Sequence, residues 1–410
     1  MRGNSVNKLG TGAGLPSPRW SAAQAVLCAV VALALAGLPF LRVAPNRLVS
    51  GEAVVWASLL QGPQGHGGWW LLVFPCLVLT GLAFSKPRRS GLWLTVASAG
   101  CLLGGLAALA AAHASFVAQT GPPLARTSLG SGFWLACGVL GLVMADALQR
   151  LRAGSVARIS SGAVVFVFIF VLLASGWCDD LSLMKEYANR SDVFAQVIAR
   201  HLQIVVLALA VTLLAGLPLG WAAWRFARVG RALFPVLNII QTIPSLALFG
   251  LLMAPLAWLA TTWPAGGKAG ISGVGLTPGV MALVLYSLLP VVRSTLAGLA
   301  QVPPAVVQAA TGLGLTRAQV FWQVDVPLAL PVVLGGVRTA AIQAIGLAAV
   351  TALIGAGGLG SIMFEGLFSS AQDLVLLGVL PIIALGVLAD VFFKGLIRLA
   401  NPHGLSREGT

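Results

Sequence analysis

Residues 308–327 read Gln308-Ala309-Ala310-Thr311-Gly312-Leu313-Gly314-Leu315-Thr316-Arg317-Ala318-Gln319-Val320-Phe321-Trp322-Gln323-Val324-Asp325-Val326-Pro327. The stretch is short, small and polar, and it separates two long apolar runs, 276–298 and 329–354. Its residue types answer a mechanical demand. Small side chains at Ala309, Ala310 and Gly314 let another protein's groove approach the backbone, Phe321 supplies an aromatic to fill that groove, and Pro327 sets where the next helix starts. Two alanines, a glycine and a proline occur by chance in many apolar proteins. The flanking runs make the pattern informative.

Outward from that stretch the chain is 410 residues long, 58% hydrophobic and only 9% charged, with a mean hydropathy of +0.94. A soluble domain carries about 25% charged residues, and a helix crossing the bilayer core needs roughly 20 apolar ones. The chain supplies such runs repeatedly. The expected fold is an all-α polytopic membrane protein of about ten transmembrane helices, near 22–41, 69–85, 91–113, 131–148, 162–178, 202–224, 235–260, 276–298, 329–354 and 374–397. A net charge of +14 would suggest nucleic acid in a soluble protein. Here Lys and Arg cluster between apolar runs, which is the pattern of membrane orientation, so no nucleic-acid partner is expected. With the N-terminus inside, 17 basic residues fall on the inner side, counting Arg293 and Lys394 toward the inner ends of their spans, and 7 on the outer, with Arg338 inside a span. That bias places both termini, and residues 308–327, in the cytoplasm. The polar, basic segment Met1–Trp20 precedes a run long enough to span, which reads as a retained first helix rather than a cleaved signal. Cys28, Cys76, Cys101, Cys137 and Cys178 lie in or at the ends of apolar runs with no CxxC pair, the pattern of buried free thiols.

The polar and special residues lie in the second half. Residues 1–190 form an N-terminal module of about five helices with few polar interior residues. Residues 191–400 form a core of about five more, and 401–410 a cytoplasmic tail. Five pieces of the core resemble the osmoprotectant permeases, the ABC importer subunits for glycine betaine, choline or carnitine. They are His201-Leu202 with Gly216-Leu217-Pro218-Leu219-Gly220; Ile240 through Phe249; Tyr286-Ser287-Leu288-Leu289-Pro290-Val291-Val292-Arg293; the 308–327 stretch; and Pro327 through Gly360. They occur in family order over about 200–365, and the family's Glu-Ala-Ala begins with Gln308 here. The preceding five-span extension resembles the longer branch of that family, including Ala44-Pro45-Asn46-Arg47-Leu48-Val49-Ser50-Gly51. The resemblance implies a type I ABC importer core whose loop at Gln308, Ala309, Ala310, Gly314, Phe321 and Pro327 couples to ATPase subunits. It also implies ATP and Mg²⁺ on that partner, a substrate-binding protein outside, a second permease copy or paralogue, surrounding lipid, and a bacterial cytoplasmic membrane.

Within the core, Gln241, Thr242, Pro244 and Ser245 bring polar groups and a helix breaker into one apolar run, either a packing kink or a pathway-lining bend. Tyr286 is either structural or an aromatic face for a quaternary ammonium. Arg338 lies roughly 13 Å into its span at 1.5 Å per residue, where an unpaired charge costs about 2.5–3.5 kcal/mol. Asp390 and Arg293 lie at comparable depth, so Asp390 pairs either with Arg338, as a brace of the bundle or a part of the gate, or with Arg293. Gly355-Ala356-Gly357-Gly358-Leu359-Gly360 satisfies GxGxxG, but the strand–turn–helix context of a dinucleotide site is missing. Gly357 and Gly358 instead suit a flexible gate at the outer mouth. No GxxxxGK[ST] exists around Lys268 or elsewhere, no catalytic or metal spacing appears, and the four histidines are scattered. The chain therefore reads as a transport subunit without a bound cofactor, not an enzyme. Two alternatives remain: a permease for another small polar solute such as an amino acid or sulfonate, and an ion-coupled secondary transporter. The second would need buried mid-membrane acids and repeated halves.

Overall fold

The computed structural model describes residues 22–46, 49, 51–61, 70–84, 88–152, 154–268 and 270–400. The basic segment before residue 22, the tail 401–410 and residues 47, 48 and 50 of the 44–51 phrase lie outside them. In lipid every backbone polar group must be satisfied within the segment, so the apolar runs fold as helices. The chain divides into two compact units, Met1–Lys185 and Glu186–Thr410, against an expected boundary at residue 190.

The first unit holds α1 (Ala22–Gly37), β1 (Leu41–Ala44), β2 (Glu52–Val54), α2 (Trp56–Gln61), α3 (Trp70–Ala83), α4 (Arg89–Thr120), β3 (Arg126–Leu129), α5 (Ser131–Arg150) and α6 (Ser155–Ala174). The strands add an antiparallel sheet of order β2-β1-β3 to an otherwise helical expectation. Each strand is too short for period-2 alternation to stand out in the sequence, and the pairing joins segments far apart in the chain. Phe40 and Leu41 are fully buried, and the Phe40 ring meets Phe133 edge-on at 5.7 Å. The 162–178 run ends as a helix at Ala174, leaving Cys178 in the following turn.

The second unit begins in α7 (Ser182–Ala188), which crosses the boundary, and continues through α8 (Ser191–Arg225), α9 (Ala227–Thr242), α10 (Ser245–Thr262), α11 (Pro264–Lys268) and α12 (Leu276–Ala300). Then come α13 (Pro304–Gly312), α14 (Arg317–Val320), a π turn (Phe321–Asp325), α15 (Val326–Ala348), a 3-10 turn (Val350–Ile354), α16 (Leu359–Phe368) and α17 (Gln372–Ala400). The central helix is α12, packed against α8 and α15, with Ala282, Leu283, Val291 and Val292 fully buried. Apolar burial drives little between helices already in lipid; close backbone approach through small residues does more. At Gly220 a Cβ would stand 2.5 Å from the Thr295 Cβ, so glycine is what lets α8 reach α12.

Among the described residues, seven helices are long and apolar enough to cross a membrane: α4, α5, α8, α10, α12, the continuous Arg317–Ala348 helix and α17. Shorter apolar helices occupy Ala23–Gly37, Val73–Ala83 and Leu359–Phe368. Two expected spans are corrected. The 235–260 run is two helices, because Pro244 forces Ile243 out of helical geometry, at φ −72° and ψ 128°. The 329–354 run starts earlier, at Arg317, and its α-helix ends at Ala348. Pro327 therefore does not begin that helix. It sits inside it, just after a π turn in which the Val326 N–H reaches back to the Phe321 carbonyl, and the widened turn absorbs the ring that would otherwise press on the preceding turn.

Candidate functional site

The 304–327 stretch is a helical hairpin rather than a loop. Pro303 is extended and Pro304 opens α13, the position where a missing N–H costs nothing. The helix closes on Gly314, whose φ of +87° suits glycine, with the Leu315 N–H bonded to the Ala310 carbonyl at 3.2 Å. Thr316 and Gln319 then form a reciprocal capping box that starts α14, the Thr316 N–H reaching Gln319 Oε1 at 2.8 Å. Gln308, Ala309 and Gly314 are exposed, whereas Ala310 is buried. Phe321 is half-buried, with Trp322 edge-on to it at 5.2 Å. Trp322 is 68% exposed and Leu313 83% exposed. The most exposed large apolar side chains on this hairpin are thus Leu313 and Trp322, which the sequence reading left out. Asp325 is buried at the base of the hairpin.

The break at Pro244 is built from two reciprocal hydrogen bonds. Pro290 has no N–H, so the Tyr286 carbonyl in α12 lacks its helical partner. The Gln241 side-chain amide supplies one, Nε2 donating to that carbonyl at 2.7 Å. The Tyr286 hydroxyl in turn donates to the carbonyl of Ile243, the residue before Pro244. Two proline-freed stretches of backbone complete each other. Tyr286 is 5% exposed and its ring lies in a cluster with Leu248, Phe249 and Ala282, so this conformation offers no ring face to a cation. Thr242 bonds its own helix at the Ile239 carbonyl, 2.7 Å away, and half-buried Ser245 opens α10.

Arg338 on α15 and Asp390 on α17 are in contact, Arg338 Nε donating to Asp390 Oδ1 at 2.6 Å with Nη2 on the same oxygen. Lys394, one turn along α17, holds the other carboxylate oxygen at 2.6 Å. One carboxylate thus holds two cations. Arg293 lies elsewhere, its Nη2 3.5 Å from Asn238 Oδ1. The sequence signal for Lys394 was present in its i,i+4 spacing from Asp390.

Gly355, Gly357 and Gly358 all adopt positive φ, at 83°, 82° and 84°. They carry the chain from the 3-10 turn into α16, and no strand precedes them. Arg200 and fully buried His201 of α8 lie against this turn, Arg200 Nε donating to the Ala356 carbonyl at 2.9 Å.

Two family descriptions match the chain. An ABC transporter permease YehY N-terminal domain matches residues 20–184, and a binding-protein-dependent transport system inner membrane component matches 212–400. The osmoprotectant import permease protein OsmW of Salmonella typhimurium is 37% identical over 221 residues, 53% of this chain and 96% of that protein. The chain belongs to the ABC importer permeases, in the family of the osmoprotectant proteins. The glycine betaine/carnitine/choline permease OpuCD of Bacillus subtilis is 33% identical over 53% of this chain and 88% of that protein. A chain from inward-facing structures of the MetNI methionine ABC transporter matches at 19% identity over 52% of this chain and 98% of that one, with a TM-score of 0.45. The matched osmoprotectant permeases align with about half of this permease, and residues 20–184 match the domain that marks the longer branch. Like its relatives it is a multi-pass transport subunit rather than an enzyme.

Proposed function

We propose that this permease imports a compatible solute such as glycine betaine or choline, driven by ATP that separate ATPase subunits bind with Mg²⁺. A binding protein delivers the solute to the outer face, and the 304–327 hairpin takes up the ATPase's motion. The permease sits in a bacterial cytoplasmic membrane with both termini inside, pairs with a second copy or a paralogue, and carries residues 1–190 as an accessory membrane module. The observation that carries this reading is the hairpin itself. It is capped at Gly314 and Thr316, and it leaves small Ala309 exposed together with Leu313 and Trp322. Exposed apolar anchors on a stiff support are what a transmitted push requires. The names of the relatives support the solute class.

The test is uptake of labelled glycine betaine into vesicles holding this permease with its ATPase and binding protein. Uptake should require internal ATP and the external binding protein. Uptake by the permease alone, following an ion gradient, would overturn the reading in favour of a secondary transporter. Uptake of an amino acid with none of betaine or choline would reassign the solute.

A further inference from the structure

We infer that the N-terminal half of α8 is a strap across the glycine turn 355–358, and that opening of the turn requires Arg200 and Arg190 to let go. The inference rests on the transport reading only in naming the turn a gate. Its geometry stands on residues 186–203, α15 and α16, all within the second unit.

The turn has the makings of a hinge. Gly355, Gly357 and Gly358 hold left-handed conformations that glycine enters and leaves without a Cβ penalty. Beyond it, α16 and α17 are joined nearly backbone to backbone: a Cβ on Gly366 would stand 2.5 Å from the Val375 nitrogen, and one on Gly378 2.8 Å from the Met363 nitrogen. These contacts hold α16 to the first turns of α17 on the far side of the hinge.

The strap has ties on both sides and at the centre. On the near side, His201 Nε2 donates to the Ile345 carbonyl at 3.1 Å. That carbonyl is free because the helix tightens there, Ala349 N–H bonding Gly346 instead. At the centre, Arg200 Nε donates to Ala356 O, and its Nη1 is held by Gln203 Oε1 at 2.8 Å, which fixes its direction. On the far side, Arg190 bridges Glu186, at 3.0 Å, to Glu365 of α16, at 2.5 Å. α8 and Arg190, the residue that caps its N-terminus, therefore span the hinge from Ile345 to Glu365. Rotation of α16 about the turn must break the Arg200 and Arg190 ties, while His201 keeps α8 on α15. The close approach of Gly358 to His201, whose Cα would be 3.2 Å from an added Cβ, seats the turn against the strap.

The test reports opening directly, without transport. Ala356 is 1% exposed and Ala282, within the first two turns of α12, is fully buried, so a cysteine at either is a shielded reporter. Permease in native membranes carrying Ala356→Cys or Ala282→Cys is alkylated with N-ethylmaleimide, and each site is followed by peptide mass, which keeps the native thiols separate. Adding Arg200→Gln should speed labelling at position 356 about tenfold, the population change expected on losing a charged hydrogen bond, and leave position 282 unchanged. Arg190→Gln and Glu365→Gln should each speed it, and the pair together no more than either alone, because both cut the same tie. Unchanged labelling at 356 in Arg200→Gln overturns the strap. So does equal acceleration at 282, which would mean that Arg200 merely holds the bundle together. Failure of betaine uptake leaves the result intact and bears only on the name given to the motion.

Discussion

At the scale of single residues, buried polar groups here serve backbone that proline or helix tightening has left incomplete. Gln241 serves the carbonyl opposite Pro290, Tyr286 the carbonyl before Pro244, and His201 that of Ile345. Leaving a buried acceptor unpaired costs about 1–3 kcal/mol. Gln241→Leu and Tyr286→Phe should each lower the amount of folded permease extracted from membranes by a cost of that size, measured as a fall in the detergent-solution melting temperature. Normal melting in both would show that the freed carbonyls find other donors. The Asp390 cluster carries an asymmetric prediction. Arg338→Leu leaves Asp390 with Lys394, whereas Asp390→Leu leaves two cations facing one another. Breaking a fully buried pair costs about 3–5 kcal/mol, and partial exposure reduces that here. The loss of folded protein should be larger for Asp390→Leu than for Arg338→Leu. The double variant should recover part of it, and transport by that variant separates a brace, which restores it, from a gating pair, which does not. Depth in the membrane set Arg338 and Arg293 level with Asp390 without choosing between them, whereas Lys394 was legible from its i,i+4 spacing from Asp390.

At the scale of elements, the capped hairpin and the α8–α12 seam each make a claim. Ala309 is exposed, so Ala309→Trp fits the permease's own fold while blocking close approach of a partner. ATPase copurification should be lost with membrane insertion intact, and wild-type transport by this variant would remove the hairpin from the coupling role. Trp322→Ala should weaken the same association about thirtyfold, the effect of deleting an exposed aromatic anchor worth about 2 kcal/mol. Phe321→Ala should instead lower folded yield. In the seam, Gly220→Leu would drive a side chain into Thr295, and overpacking of this kind costs about 1–3 kcal/mol or more; a variant of unchanged melting temperature would mean that α8 does not sit this close. The seam's glycines were visible in the sequence as Gly216 and Gly220. That they face Val291 and Thr295 was not.

At the scale of the whole molecule, single cysteines replacing Lys268 and Arg317 should label from opposite sides of the membrane, the first from outside and the second only after permeabilisation. Labelling from one side would remove an odd number of crossings between them and with it the cytoplasmic position of the hairpin. The membrane character, the order of the apolar runs and the basic-residue bias follow from the sequence alone, because bilayer insertion selects for apolar length and flanking charge, and both are local properties; the five motifs are legible there too, as a resemblance to the osmoprotectant permeases. Proline positions were equally plain, yet their consequences were not. The same residue type ends one helix at Pro244 and is absorbed inside another at Pro327, and the difference lies in whether neighbouring turns can widen or a side chain from another helix can reach the freed carbonyl. The short sheet of the first unit, the Gln241–Tyr286 exchange and the strap over the glycine turn belong to the tertiary structure. The sheet pairs strands from separate stretches of the first unit, while the exchange and the strap join residues 45, 156 and 175 positions apart in the core and depend on helix rotation, which apolar length does not encode.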